Sequence, residues 1–426
     1  DEGDAREGAH PAAHSDAQPS EMGSPGVGGA DDDGDRDDDA VARELDRLLR
    51  LRDAGGAREV REIEYARDVS PEALFGPSWE RDAPVNASTM PTRFYACEGS
   101  LAMTLECVRA VRDASAVAMA RSRARGGETS TSSEAEAEAE ATFDATATAL
   151  CANGDHATAW NARKRRFTSI SALSIEDARD AVSDELAFAS AVQSRFPKAP
   201  SAWAHRRWVL AFASRRTSAL ADAKTRRAWF RRECEACDAA VVKKRLNYAA
   251  WSHRAWALTL VADDVETVSN EMRENETRAG RNVSDYCVLH YRTRVLERYL
   301  ALRPGEISKV FNGETATARR LIAAHPGREA LWSYYRFVFA RMVQGEPSLA
   351  TDASFLADTK TFIDTMCDEE RTARLDPTWA EHAAATQRRL ALAFQTWTHV
   401  ITSRARGEKP VVEHTRITDG EVISTL

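Results

Sequence analysis

The stretch LNYAAWSHRAWAL, from Leu246 to Leu258, decides the fold, because it is one of five related copies along the chain. The others are HATAWNARKRRF (His156 to Phe167), APSAWAHRRWVL (Ala199 to Leu210), SDYCVLHYRTRVL (Ser284 to Leu296) and REALWSYYRFVF (Arg328 to Phe339). Their anchor residues are Trp160, Trp203, Trp251, Leu289 and Trp332, spaced 43, 48, 38 and 43 residues apart. Self-similarity at that period suits one helical hairpin per repeat.

Within the copies, the residue three after the anchor is Arg163, Arg206, Arg254 and Arg292, and the residue seven after it is Phe167, Leu210, Leu258, Leu296 and Phe339. Seven residues on an α-helix return to nearly the same direction, so the anchor and the last apolar residue share the buried stripe and the arginine sits at its margin. From there an arginine can lay its stem on the ring and send its planar fork to carbonyls or carboxylates of the next hairpin. The fifth copy departs, with Tyr335 at the arginine position and Arg336 after it. Asn247 and Asp285 stand four residues before their anchors, where a short polar side chain caps exposed N–H groups, and Tyr248 and Tyr286 follow them. Six of the ten tryptophans (Trp160, Trp203, Trp208, Trp251, Trp256, Trp332) fall inside the copies, so the repeated helices are expected to hold most of the bulky core.

Outside the motifs the helical period persists. Ile175, Ala178, Val182, Leu186, Ala189, Val192 and Phe196 step by three or four; Ser174 with Asp177 resembles a capping box, and Pro197 ends the run. Little alternates with period two, so the prediction is an all-α chain of helical hairpins stacked as a superhelix. The expected organisation is an acidic tail over 1–40, a helical region over 41–120, a low-complexity insertion over 121–148, the repeat domain over 149–402 and a polar tail over 403–426. Residues 1–40 hold thirteen acids and two bases, a local net of −11 against −8 for the whole chain. The remainder is near neutral, which disfavours a strongly basic nucleic-acid protein. Residues 1–40 have almost no aromatic or branched apolar side chains and the stretch RSRARGGETSTSSEAEAEAEATFD (121–144) has no large apolar residue apart from Phe143, too little to offset chain entropy, so the first is expected to be disordered and the second to be a low-complexity insertion.

No apolar run approaches the ~20 residues that span a bilayer, and no secretory signal stands at the start, so a soluble cytoplasmic chain without a transmembrane segment is expected. The sequence begins at Asp1, which leaves its true start open. The seven cysteines are an odd, scattered set, the pattern of buried thiols rather than of a disulfide framework. Cys234 and Cys237 form a lone CxxC on a helical segment, with no second pair at zinc-site spacing, and are expected to be structural. His205 and His253, each two after an anchor, suit packing or interface hydrogen bonding better than a metal. No HExxH, GxSxG or phosphate-loop pattern is present, and no metal site is expected on this chain. The cluster Lys243, Lys244 and Arg245 suits a solvated loop or a contact with an acidic partner.

The five spaced copies, with NYxxWxxR complete in Asn247 to Arg254, resemble the protein prenyltransferase α-subunit repeat, and the resemblance runs from about His156 to Phe339. What it implies is a crescent of α-hairpins, a solenoid of the prenyltransferase α-subunit type, curled around a separate β subunit. That partner, implied to be of the Rab geranylgeranyltransferase kind, would carry the catalytic zinc, and no cofactor is implied on this chain. The implied reaction is transfer of a geranylgeranyl group from its diphosphate, the co-substrate, to a cysteine thiolate near a protein's C-terminus, with a SNARE-type protein as implied substrate. The resemblance implies a lysine five before the anchor of the second copy, which is Lys198, in contact with the lipid diphosphate. The corresponding residues elsewhere are Asp155, Leu246, Ser284 and Gly327. Pro200 replaces the family's tyrosine in the second copy, whereas Tyr248 keeps it in the third and could line the same mouth. Alternatives are the α subunit of a farnesyl or type I geranylgeranyl transferase, and a non-enzymatic helical-repeat scaffold. The tryptophans and arginines of the motif, with Asn247 and Asp285, are expected to hold shape rather than perform chemistry.

Overall fold

The computed structural model describes residues 145–169, 174–216, 221–368 and 380–410, five short strands and scattered helical residues between 45 and 120 and at 370. The expected acidic tail and nearly all of the expected insertion lie outside the described residues. Helical residues 145–152, which overlap the insertion's expected end, lead into eleven helices: α1 (Ala157–Ser169), α2 (Ile175–Arg195), α3 (Pro200–Arg216), α4 (Ala223–Lys243), α5 (Tyr248–Ala257), α6 (Val265–Arg281), α7 (Tyr286–Leu302), α8 (Ile307–Ala324), α9 (Glu329–Gly345), α10 (Ala353–Met366) and α11 (Ala380–Ala405). The five motifs occupy α1, α3, α5, α7 and α9.

Two layers result. The motif helices pack on one another in chain order, α1 on α3, α3 on α5, α5 on α7, α7 on α9, and α9 on α11. The intervening helices α2, α4, α6, α8 and α10 form the second layer and complete the hairpins. Short polar side chains start many of them: Ser174, Asp222, Asn247, Asp264, Asp285 and Asp352 each accept a backbone N–H of the first turn. α3 begins at Pro200, whose fixed φ and missing donor suit a first helical residue. All five anchors are buried, and so are the five closing residues Phe167, Leu210, Leu258, Leu296 and Phe339. The all-α hairpin repeat is therefore the architecture of the chain's main body.

The region 41–120, expected to be helical, also contains strands. β1 (Glu62–Ala66), β2 (Phe94–Cys97) and β3 (Ser100–Thr104) form a three-stranded sheet in the order β1-β3-β2, with β1 parallel and β2 antiparallel to β3. The sheet rests on α2, where the Ile63 N–H donates to Ser194 Oγ at 2.8 Å, and Ile63, Leu101 and Met103 share a core with Leu45, Leu49, Trp160 and Phe188. EIEYA does alternate, but over five residues that signal is too short to stand out. At the other end, α11 extends three residues into the expected polar tail, and β4 (Thr415–Thr418) pairs antiparallel with β5 (Glu421–Ser424).

Candidate functional site

Each motif arginine is buried, and Arg206, Arg254 and Arg292 each bridge two helices of the second layer. Arg206 on α3 donates Nε and Nη2 to Glu233 of α4 at 2.9 and 2.7 Å, and Nη1 to the Leu186 carbonyl of α2 at 2.9 Å. Arg254 on α5 repeats this with Glu271 of α6 at 2.9 and 3.1 Å and the Cys234 carbonyl of α4 at 3.1 Å. Arg292 on α7 does so with Glu314 of α8 at 2.8 and 2.5 Å and the Met272 carbonyl of α6 at 3.0 Å. Arg163 on α1 pairs with Glu185 of α2 at 2.7 and 2.6 Å and with Thr146 Oγ1 at 3.1 Å. These bidentate forks are charge-assisted and hold two neighbours at a fixed angle. In the fifth copy the roles invert: Tyr335 accepts from Arg319 Nε of α8 at 2.7 Å.

The glutamates take a further partner from the next motif helix. His205 Nε2 lies 2.8 Å from Glu185 Oε1 and His253 Nε2 lies 2.5 Å from Glu233 Oε2, while the Tyr334 hydroxyl donates to Glu314. The residue two after the anchor also packs on the preceding anchor ring: His205 stacks 4.4 Å from Trp160, while His253 lies tilted 4.9 Å from Trp203 and Tyr291 tilted 5.4 Å from Trp251, centroid to centroid. Position two after the anchor is thus a polar aromatic in the second to fifth copies, for a mechanical reason. Burial would raise the Glu185 and Glu233 carboxyls, but the guanidinium and imidazole beside each hold them well below the usual carboxylate range. Burial in turn pushes the His205 and His253 imidazoles below 6.5, against the pull of the glutamates.

These groups are locked in the core, and so is the CxxC. Cys234 and Cys237 are buried, Cys237 Sγ donates to the Ala250 carbonyl at 3.2 Å, and burial pushes both thiols up. Among the described residues no group of three or more His, Cys, Asp and Glu side chains is placed to hold a metal ion.

The exposed candidate residues lie elsewhere, at the edge where second-layer helices turn into motif helices. Lys198 is exposed in the turn between α2 and α3 and forms no side-chain hydrogen bond or ion pair among the described residues. Tyr248 and Tyr286 open α5 and α7 with rings 63% and 55% exposed, although their neighbours Asn247 and Asp285 are buried caps. The two tyrosines line a groove of about 940 Å³ that runs along α7 and α9 past Cys287, His290, Arg294 and Arg328. Lys198 is not in its wall, yet its charge reaches the Cys287 thiol, which burial pushes up to about 12 and Lys198 pulls the other way. One edge therefore brings Lys198, Tyr248 and Tyr286 together beside an open groove, and the tryptophans and arginines of the motif are kept away from it. The glutamate partners Glu185, Glu233, Glu271 and Glu314 are not evident from the motif, because their distance from each arginine varies.

The protein prenyltransferase alpha subunit repeat matches residues 182–213, from α2 into α3. The Homo sapiens protein called protein prenyltransferase alpha subunit repeat-containing protein 1 is 30% identical over 240 residues, 46% of this chain and 58% of that protein. Its Danio rerio namesake is 31% identical over 236 residues, covering 46% and 54%. The Rattus norvegicus geranylgeranyl transferase type-2 subunit alpha is 25% identical over 207 residues, covering 46% and 33%. The match thus spans little more than half the length of the first two relatives.

Proposed function

From a chain that carries the protein prenyltransferase alpha subunit repeat and stacks it as a hairpin array, we propose an α-type subunit of a heterodimeric protein prenyltransferase. The observation that carries the reading is the exposed, unpaired ammonium of Lys198 at the N-terminus of α3, on the edge shared with Tyr248 and Tyr286. A helix start offers backbone donors and a positive dipole end, and a flexible ammonium beside it is suited to a diphosphate. In the reaction a cysteine sulfur forms a bond to the first carbon of the prenyl chain while that carbon's bond to oxygen breaks and diphosphate leaves. Lys198 would neutralise charge gathering on the leaving group, and Tyr248 would border the mouth.

The division of labour follows from where the chemistry sits. Zinc and most of the lipid pocket belong to the partner β subunit in this reading; zinc there would hold the thiolate. The present chain supplies a rigid wall, the edge and one cation. Similarity to the type-2 geranylgeranyl transferase alpha subunit supports a geranylgeranyl donor and a β partner of that type; the acceptor in this reading is a prenylatable, SNARE-type protein, and the compartment is the cytoplasm.

The test is co-expression with candidate β subunits and a lipid-transfer assay on the purified complex. Lys198→Ala should leave the heterodimer intact and lower kcat by about ten-fold or more. Transfer by the isolated chain would overturn the reading, and so would an assembled complex whose turnover is indifferent to Lys198→Ala.

A further inference from the structure

The turn between α4 and α5 is wound differently from its counterparts. Before α1, α3 and α7 the residue that precedes the helix donates its N–H to the carbonyl three back: His156 to Asn153, Ala199 to Phe196 and Asp285 to Asn282, at 3.1, 3.0 and 2.8 Å. Before α5 the cap residue Asn247 makes no such bond, and Leu246 stands at φ 53°, the one non-glycine residue with positive φ among the described residues. The indoles register the change. Trp160 Nε1 donates to the Gly154 carbonyl at 2.8 Å and Trp203 Nε1 to the Pro197 carbonyl at 2.9 Å, each six residues back, whereas the buried Trp251 Nε1 has no partner among the described residues. A left-handed leucine and an unpartnered buried N–H both cost stability, and backbone outliers of this kind gather where a function holds them.

What accompanies this winding is exposed apolar surface. Val242, in the last turn of α4, is 84% exposed and Leu246 is 47% exposed. With Tyr248 and Tyr286 they are the exposed large apolar side chains among the described residues, and all four lie at this one edge. Positive charge alone does not mark the edge, since Arg215, Lys224 and Arg303 at the opposite turns are also exposed and without a side-chain partner among the described residues. At those opposite turns, however, Leu258 and Val261 are buried and Leu260 and Leu349 half-buried. Only around the α4–α5 turn do the two features coincide. Residues 242–247 read VKKRLN, three bases and no acid, and Lys244 and Arg245 are exposed with no side-chain hydrogen bond or ion pair among the described residues.

We propose that this turn docks on an anionic lipid bilayer, with Val242 and Leu246 entering the interfacial layer and Lys244 and Arg245 meeting headgroup phosphates. Aliphatic side chains beside Lys and Arg, with tyrosine rings nearby, suit a boundary that is apolar on one side and anionic on the other. The anchors of a protein interface are drawn instead from Trp, Tyr and Arg, and such interfaces are poor in Lys, with Leu and Val seldom carrying the binding energy. Residues 242–246 are outside the wall of the groove that Tyr248 and Tyr286 line, so turn and groove are separate surfaces. The lipid contact is therefore independent of the transferase reading.

The experiment is co-sedimentation of the full chain at low salt with vesicles of phosphatidylcholine containing phosphatidylserine, against vesicles of phosphatidylcholine alone. Binding to the anionic vesicles should be stronger by about ten-fold or more. Lys244→Gln with Arg245→Gln should lower it about thirty-fold, since each cation near such a surface contributes a factor of about five. Val242→Gln with Leu246→Asn should lower it by about ten-fold or more. Gln suits a helix and Asn tolerates positive φ, so this second variant keeps the fold. Inorganic phosphate at matched ionic strength should not compete. Absence of binding, equal binding to neutral vesicles, or displacement by phosphate would overturn the proposal. So would vesicle binding indifferent to Val242→Gln with Leu246→Asn, which would leave adsorption by charge alone; if assembly with a β subunit failed in that same variant, the turn would be a protein interface instead. Sedimentation reads no turnover, so its failure leaves the transferase reading standing, and an inactive complex leaves the lipid contact standing.

Discussion

Glu233 is the residue on which the second and third hairpins converge. It is fully buried and accepts two hydrogen bonds from Arg206 and one from His253. Glu233→Gln keeps the shape but leaves the guanidinium without its counter-charge, and breaking a buried pair in this way costs about 3–5 kcal/mol. Urea unfolding should show the midpoint falling with the slope unchanged, and a loss below about 1 kcal/mol would mean that Arg206 finds another acceptor. The same cluster sets a pH dependence. Below 6.5, the ordinary histidine value, the unfolded chain takes up protons at His205 and His253 that the folded chain, with both imidazoles depressed by burial, does not. The unfolded state then binds more protons, so stability falls as pH drops below about 6.5. Glu185 and Glu233, held low in the folded chain, add a second loss below 4.5. The melting temperature should therefore decline from pH 7 to pH 5 and more steeply below it. A chain carrying His205→Gln and His253→Gln, though less stable throughout, should show a flatter profile between pH 7 and 5.

At the scale of one helix, α5 shows how a start signal also serves as a joint. Asn247 Oδ1 accepts the Ala250 N–H at 3.1 Å, and its Nδ2 donates at 2.7 Å to the Pro197 carbonyl, which also accepts Trp203 Nε1 at 2.9 Å. Asn247→Ala removes a cap and an inter-hairpin bond together, at a cost of about 2 kcal/mol. Amide exchange at Ala250 and Trp251 should quicken well beyond that at the far end of the helix; uniform protection would show that neighbours, not the cap, hold the first turn. This cap was legible in the sequence, as were the five anchors, because each motif helix must present the same ring, guanidinium and closing apolar residue to the same kind of neighbour. The glutamates that pair with Arg163, Arg206, Arg254 and Arg292 stand 22, 27, 17 and 22 residues further on. Turn lengths differ between hairpins, so the partner has no fixed offset and leaves no period to detect. The sheet was missed for another reason: β1 to β3 are four or five residues each, and only packing on α2 reveals what Ile63, Leu101 and Met103 bury against. Lys198 was singled out by the resemblance, but neither spacing nor composition shows that it lacks a partner, which depends on how the turns between helices are laid out in space.

Across the whole molecule the staples run in series, arginine to glutamate within a hairpin and glutamate to histidine or tyrosine into the next, so each hairpin is coupled chiefly to its neighbours. The core beneath them is uneven. One continuous cluster runs from Phe230 through Trp251, Tyr291, Phe311 and Trp332 to Phe394, whereas the first two hairpins divide their apolar side chains among three smaller clusters. In a linear array, stability is close to a sum of unit and interface terms, and weakening one interface lets the poorer side open by itself. The interface between the second and third hairpins rests on His253 against Glu233 and Trp203 and on Asn247 against Pro197. A chain with His253→Ala and Asn247→Ala together should therefore lose the single cooperative transition expected of the native array and unfold in two steps. Native-state hydrogen exchange should locate the first step in α1 to α3, with α7, α8, α9 and α11 retaining protection until the second. Loss of protection that begins at the C-terminal helices, or that spreads evenly over all eleven, would show that the large cluster is not the stable half and that coupling extends well beyond adjacent hairpins.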